Sequence, residues 1–205
     1  MADTQLTPEL KRSLGKRAQL LALTSVLYNA AEAIIAIVAG QQANSIALVG
    51  FGLDSIIEAS SAVIILWQFK HQLPEEHERK ALRLIAVSFF ALALYVSVES
   101  VRTLVSGDLA EHSPIGITLA ATSLLVMPLL SRAQQKTGHA LGSSSVVADS
   151  KQTLLCTYLS GVLLVGLALN AAFGWWWADP LVGFFIVYLA LREGREAWRG
   201  DICDC

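Results

Sequence analysis

Of 205 residues, 54% are hydrophobic and only 16% charged, against about 25% charged in ordinary soluble domains; with a mean hydropathy of +0.54 the chain reads as a polytopic membrane protein. A formal net charge of −2 argues against a nucleic-acid partner. No Walker loop, HExxH zinc-protease motif or GxSxG nucleophile elbow occurs, so ATP-driven pumping and the common hydrolase chemistries lack support and no enzymatic activity is expected.

Residues 1–16 read as a polar, mobile arm. It carries Asp3 and Glu9 and has no early apolar core, unlike a cleaved signal peptide. Cys156, Cys203 and Cys205 do not make a secreted disulfide framework. The first apolar segment runs from about Arg17 to Ala39 and stops at Gly40-Gln41-Gln42. Ser25, Asn29 and Glu32, spaced four and three apart, share one of its faces. The second segment, Ser45 to Gln68, is long enough to cross a bilayer, which needs roughly 20 apolar residues. It carries Asp54 and Glu58, about one helical turn apart and therefore on one face.

A polar loop, FKHQLPEEHERKALR, is expected next, with Pro74 as breaker. The third segment, about Leu84 to Val105, holds Glu99 and Arg102, which are placed to pair. Ser113-Pro114 reads as an N-cap followed by proline at the first helical position. The fourth segment runs from there to about Leu130, with Pro128 expected to kink it. After the polar stretch SRAQQKTGHALGSSS, a fifth segment spans about Val146 to Ala172. Trp175-Trp176-Trp177 fits an interfacial belt. Asp179-Pro180 reads as a second cap-plus-proline start, opening a sixth segment that ends near Leu191. The expected fold is thus an all-α membrane protein of six transmembrane helices.

Thirteen of the fifteen Lys and Arg residues fall before segment one, between two and three, between four and five, or after six. The connections 40–44, 107–113 and 173–179 contain none. The positive-inside rule then places both termini in the cytoplasm.

A carboxylate at membrane depth costs at least about 2.5–3.5 kcal/mol on insertion scales, and Asp54 and Glu58 are two of them. Cations are the obvious offset. Asp149, Gln152 and Cys156, spaced three and four apart, share a face of segment five. If segments two and five pack together, Asp54, Glu58, Gln152 and Cys156 form a site of two carboxylates, an amide and a thiol. Carboxylate with thiolate suits a borderline divalent ion such as Zn²⁺, and four ligands suit its tetrahedral preference. Gln152 is the weak member, because an amide oxygen is an uncommon zinc ligand. Asp149, one turn earlier, either replaces it or orients the ligands. A solvated charged loop stands against a peripheral metal site at His71, Glu75, Glu76 and His77. A frayed terminus stands against a metal-capture tail at Cys203-Asp204-Cys205.

Ser45-Ile46-Ala47-Leu48 with Asp54 and Glu58 resembles the second transmembrane helix of the cation diffusion facilitator (cation efflux) family. Ala148-Asp149-Ser150 with Gln152 and Cys156 resembles its fifth helix, where the family usually has His and then Asp. His77 and Lys80 resemble its Gly-His-x-Lys region, and Ala178-Asp179-Pro180 the start of its sixth helix. The resemblance covers residues 17 to 199. It implies a divalent-metal/proton antiporter that works as a homodimer by alternating access, multi-pass in the bilayer of a bacterial inner (plasma) membrane. The transported ion is expected to be Zn²⁺, with Cd²⁺, Co²⁺, Fe²⁺ and Mn²⁺ open, and no cofactor is implied. The soft cysteine disfavours magnesium and calcium. The expected organisation is the arm 1–16, a six-helix cation-efflux-like domain over 17–195 and a short cytoplasmic tail over 196–205, without the family's usual C-terminal cytoplasmic domain. The alternative is a non-transporting membrane module that senses metal or assembles with a partner.

Overall fold

The computed structural model describes residues 8–70, 75–106 and 110–199. Among these the chain is entirely helical: α1 (Pro8–Gln42), α2 (Ile46–Lys70), α3 (Glu75–Ser106), α4 (Pro114–Leu141), α5 (Ser144–Phe173) and α6 (Ala178–Arg199). His71 and Cys203–Cys205 lie outside the described residues, as do the side chains of Glu75, Glu76, His77 and Lys80.

The helices are longer than the apolar segments that announce them. Residues 8–16 of the expected arm belong to α1, residues 75–83 of the expected loop to α3, and residues 131–141 to α4. All three stretches are polar yet rich in Glu, Gln, Lys, Arg, Ala and Leu, which are good helix formers. Lipid solubility ends before the helical hydrogen bonding does. α4 runs through Pro128 and ends at Gly142, whose φ of 66° supplies the left-handed cap.

Among the described residues, five helices are long and apolar enough to span a bilayer, within Pro8–Gln42, Ile46–Ile64, Ala86–Ser106, Pro114–Leu141 and Asp149–Phe173. The expected sixth, α6, is not among them. Its apolar stretch is only residues 180–191, bracketed by Asp179 and the Arg192–Arg199 charges. Twelve residues at about 1.5 Å each fall short of a roughly 30 Å hydrocarbon core. α6 is nonetheless packed into the bundle. Ala190 shares a core cluster with Phe89, Leu92, Ala93 and Val96 of α3 and Ile57 of α2. A second core, around Phe51, Met127, Cys156, Leu163 and Ile186, joins α1, α2, α4, α5 and α6. Leu20, Leu27, Leu94, Leu125 and Tyr188 face outward, as lipid-facing residues do. Trp175 and Trp177 stack with centroids 5.0 Å apart at the α5–α6 junction, and Arg102 pairs with Glu99 at 3.5 Å.

The hairpins α1–α2 and α4–α5 repeat one another at an offset of 98 residues. Ser45 N–H donates to Gly40 C=O at 2.9 Å, and Ser143 N–H to Gly138 C=O at 3.0 Å. Asn44 and Gly142 hold the corresponding positive φ angles, 49° and 66°. Because each helix lies three helices before its counterpart, α1 before α4 and α2 before α5, the second hairpin runs through the bundle in the opposite sense, the arrangement of an inverted repeat. At the same offset Asp54 corresponds to Gln152 and Glu58 to Cys156.

Both turns require helices in close approach. A Cβ at Gly40 would lie 2.8 Å from Val49 N and 2.7 Å from Val49 Cγ2, and one at Gly138 would lie 3.0 Å from Val147 N. The obstruction is partly backbone, so it cannot swing aside. Gly40→Ala is expected to destabilise the detergent-solubilised protein by about 1–3 kcal/mol, read as a lower thermal unfolding midpoint; an unchanged midpoint would refute the close-packed turn.

Candidate metal-transport site

α2 carries the two acids, and its position is set from its first turn. Ser45 Oγ accepts from Leu48 N–H at 3.1 Å, an ordinary N-cap bond. Asp179 of α6 completes the cap from another helix. Its Oδ2 accepts from Ile46 N–H at 2.9 Å and Ala47 N–H at 3.3 Å, and its Oδ1 accepts from the Ser45 hydroxyl. Asp179 was expected to cap its own helix. It lies inside the first turn of α6 instead, and its carboxylate satisfies the free N–H groups of α2.

Two turns on, α2 presents its polar side chains in different directions. Asp54 lines a small cavity of about 20 Å³ with Gln152 and Cys156 of α5, Glu193 of α6 and the apolar Phe89, Leu155, Leu159, Ile186, Leu189 and Ala190. That is room for one water-sized guest. Glu58 is buried, and both carboxylate oxygens lack a hydrogen bond. Thr153 and Cys156 of α5 and Asn29 of α1 face it without bonding geometry to either oxygen. The adjacent Ser55 points toward α1, where its hydroxyl donates to Glu32 Oε2 at 3.0 Å.

Of the five residues expected to hold the metal, Asp54, Gln152 and Cys156 therefore meet in one cavity, and Glu58 lies against Cys156. Asp149 stands apart. Its Oδ2 accepts from Gln134 Nε2 of α4 at 2.6 Å, while its Oδ1 and the Gln134 Oε1 are buried without partners. Among the described residues, no three His, Cys, Asp or Glu side chains converge closely enough to hold a metal ion.

Glu193 is a cavity residue that the sequence reading missed. Its neighbour Arg192 is engaged by Glu196, Nε to Oε1 at 3.0 Å, and Glu193 Oε1 is left buried and unpaired. The signal was phase: Val182, Ile186 and Leu189 form the inward stripe of α6, and four residues later the stripe meets Glu193 rather than another apolar side chain.

Comparison with known proteins bears on what such a cavity serves. A family model described as the cation efflux transmembrane domain matches residues 81–199, more than half of the chain. The chain belongs to the cation efflux family. The matched region contains Asp149, Gln152, Cys156 and Glu193, whereas Asp54 and Glu58 precede it. Similarity to individual members reaches further. Over 202 residues, 92% of the chain, it is 25% identical to the cation-efflux pump FieF of Klebsiella pneumoniae and 24% identical to that of Salmonella agona, covering 67% of each pump. It is 24% identical over 168 residues to an uncharacterized transporter of Synechocystis, covering 77% of this chain and 54% of the transporter. The chain thus spans between half and two thirds of the length of these relatives. As a cation efflux family member with five apolar spanning helices, it is an integral membrane protein.

Proposed function

We propose that the protein exports a divalent transition-metal cation in exchange for protons, with Zn²⁺ the first candidate and Cd²⁺, Co²⁺, Fe²⁺ and Mn²⁺ the others. The observation that carries this reading is the meeting of Asp54, Gln152 and Cys156 in one cavity inside the bundle, on two helices related by the internal repeat. Metal enters from the cytoplasm and is held by Asp54 and Cys156 with Glu58 and, more weakly, Gln152. Asp149, tied to Gln134, orients α5 one turn away. A small rotation of α2 against α5 closes the four donors around the ion. The thiol and carboxylates lose protons to bind, so affinity rises with pH, and protons arriving from outside promote release. The inverted hairpins are suited to rocking around the fixed site. In this reading α6, whose short apolar stretch is carried by its packing against α2 and α3, crosses the bacterial inner membrane with the five apolar helices, both termini are cytoplasmic, and two copies pair.

The test is metal uptake into proteoliposomes under an imposed pH gradient, screened across the five ions. Gradient-driven flux of at least one ion, with counterflow of protons, is expected. No flux for any ion in folded protein would favour the other reading, a non-transporting module that senses metal or assembles with a partner. Cys156→Ser replaces a soft donor by a hard one. It is expected to reduce Cd²⁺ flux by about tenfold or more relative to Mn²⁺ flux; an unchanged ratio would make Cys156 a packing residue.

A further inference from the structure

Glu32 has no part in the cavity of Asp54 and Cys156, yet it is 2% exposed in the middle of α1. One oxygen accepts from Ser55; the other, Oε1, is buried without a partner. No ion pair reaches it among the described residues. Tyr28 and Ser123 face its carboxylate, and the Tyr28 hydroxyl, Ser123 hydroxyl and Asn29 Oδ1 are likewise buried without a partner. Asn29 also faces Glu58, whose two oxygens are in the same condition. Unpaired oxygens of α1, α2 and α4 are thus gathered outside the lining of the Asp54 cavity. Glu32 and Tyr28 also form part of the wall of a cleft of about 510 Å³ between α1 and α4.

Helix packing alone does not account for a carboxylate here. At the repeat offset Glu32 corresponds to Leu130, which fills the equivalent place on α4 with an apolar side chain. A buried carboxylate with one hydrogen bond and no counter-charge is costly at membrane depth. A positively charged guest would offset that cost and engage the idle oxygens together.

We propose that Glu32, with Tyr28, Asn29 and Ser123, forms a second station for the transported cation, made only of oxygen donors and reached from the Asp54–Cys156 cavity by way of Glu58. This rests on the transport reading above. The first station offers a thiol and suits borderline ions. The second offers a carboxylate, a phenol, a hydroxyl and an amide oxygen, and holds a divalent ion more weakly, as a point of release requires. Because three of its four donors are neither His, Cys, Asp nor Glu, it leaves no cluster of those four residue types.

The test is a Co²⁺ titration of the detergent-solubilised protein, counting bound ions by equilibrium dialysis and following the sulfur-to-cobalt absorption of Cys156. Wild type is expected to bind two ions per chain. Glu32→Gln keeps the shape and the Ser55 hydrogen bond and is expected to bind one, with the sulfur absorption retained. Tyr28→Phe is expected to weaken only the second ion, by roughly threefold to tenfold. One ion in wild type, or two in Glu32→Gln, would overturn the second station and leave the first standing. Loss of both ions in folded Glu32→Gln would make Glu32 a structural residue and overturn it as well. No ion in folded wild type would overturn the station and the transport reading together.

Discussion

Asp54→Ala is expected to abolish pH-gradient-driven metal flux, by at least about 100-fold, while the protein still inserts and folds. Removing residues that merely support a metal ligand already costs about 10–100-fold in affinity or activity, and Asp54 stands in the cavity itself. With Asp54 gone, the cavity keeps Gln152, Cys156 and Glu193, and the one carboxylate that α2 contributes to it is lost. The structural prediction has the opposite sign. Deleting a carboxylate at membrane depth removes an insertion cost of about 2.5–3.5 kcal/mol, so the variant should be at least as stable as wild type. Loss of flux together with retained or raised thermal stability separates a functional acid from a structural one. Full flux in proteoliposomes would remove Asp54 from the site, and loss of flux with loss of folding would return it to the core. Asp54→Asn keeps shape without charge and should resemble alanine, because the charge is what attracts the ion.

The spans were legible because lipid imposes one rule on every backbone group: stay helical while apolar. Five of the six elements obey it along their full apolar length. The sixth obeys it over residues 180–191 alone and is held by its contacts with Phe89 and Val96, which hydropathy does not register. The start of α4 was legible in Ser113-Pro114, but helix ends in polar sequence were not, since polar residues such as 131–141 continue a helix into water as readily as they form a loop. The shared phases of Asp54 with Glu58 and of Gln152 with Cys156 made the packing of α2 on α5 a condition of the site, and Asp54, Gln152 and Cys156 do line one cavity. Which partners those side chains take did not follow. Gln134, which holds Asp149, and Ser55, which reaches Glu32, lie fifteen and twenty-three residues from their partners, and nothing local marks the pairing. The 98-residue repeat was present in the sequence, but its identities are few. It is carried by geometry, with Asn44 and Gly142 sharing a positive φ that different residue types can adopt.

Asp179→Ala is expected to cost about 3 kcal/mol or more and to impair transport without touching the cavity. Hydrogen bonds to a charged group contribute about 1.5–3 kcal/mol each, and leaving a buried donor unpaired costs about 1–3 kcal/mol. Asp179 receives three such bonds, two from N–H groups at the start of α2 and one from the Ser45 hydroxyl. Ala47 and Ser45 are buried, so water cannot fully replace the carboxylate, and its negative charge also favours the N-terminal end of the helix dipole. The loss would be felt along α2. Asp54 lies two turns below this cap, and a turn that frays or slides carries Asp54 away from Gln152 and Cys156. Asp179→Asn retains one acceptor and should fall between wild type and alanine in thermal midpoint and in flux. If Asp179→Ala unfolded at the wild-type temperature, the carboxylate would not be anchoring α2. If it lowered the midpoint while flux stayed whole, the cap would stabilise the bundle without positioning the site.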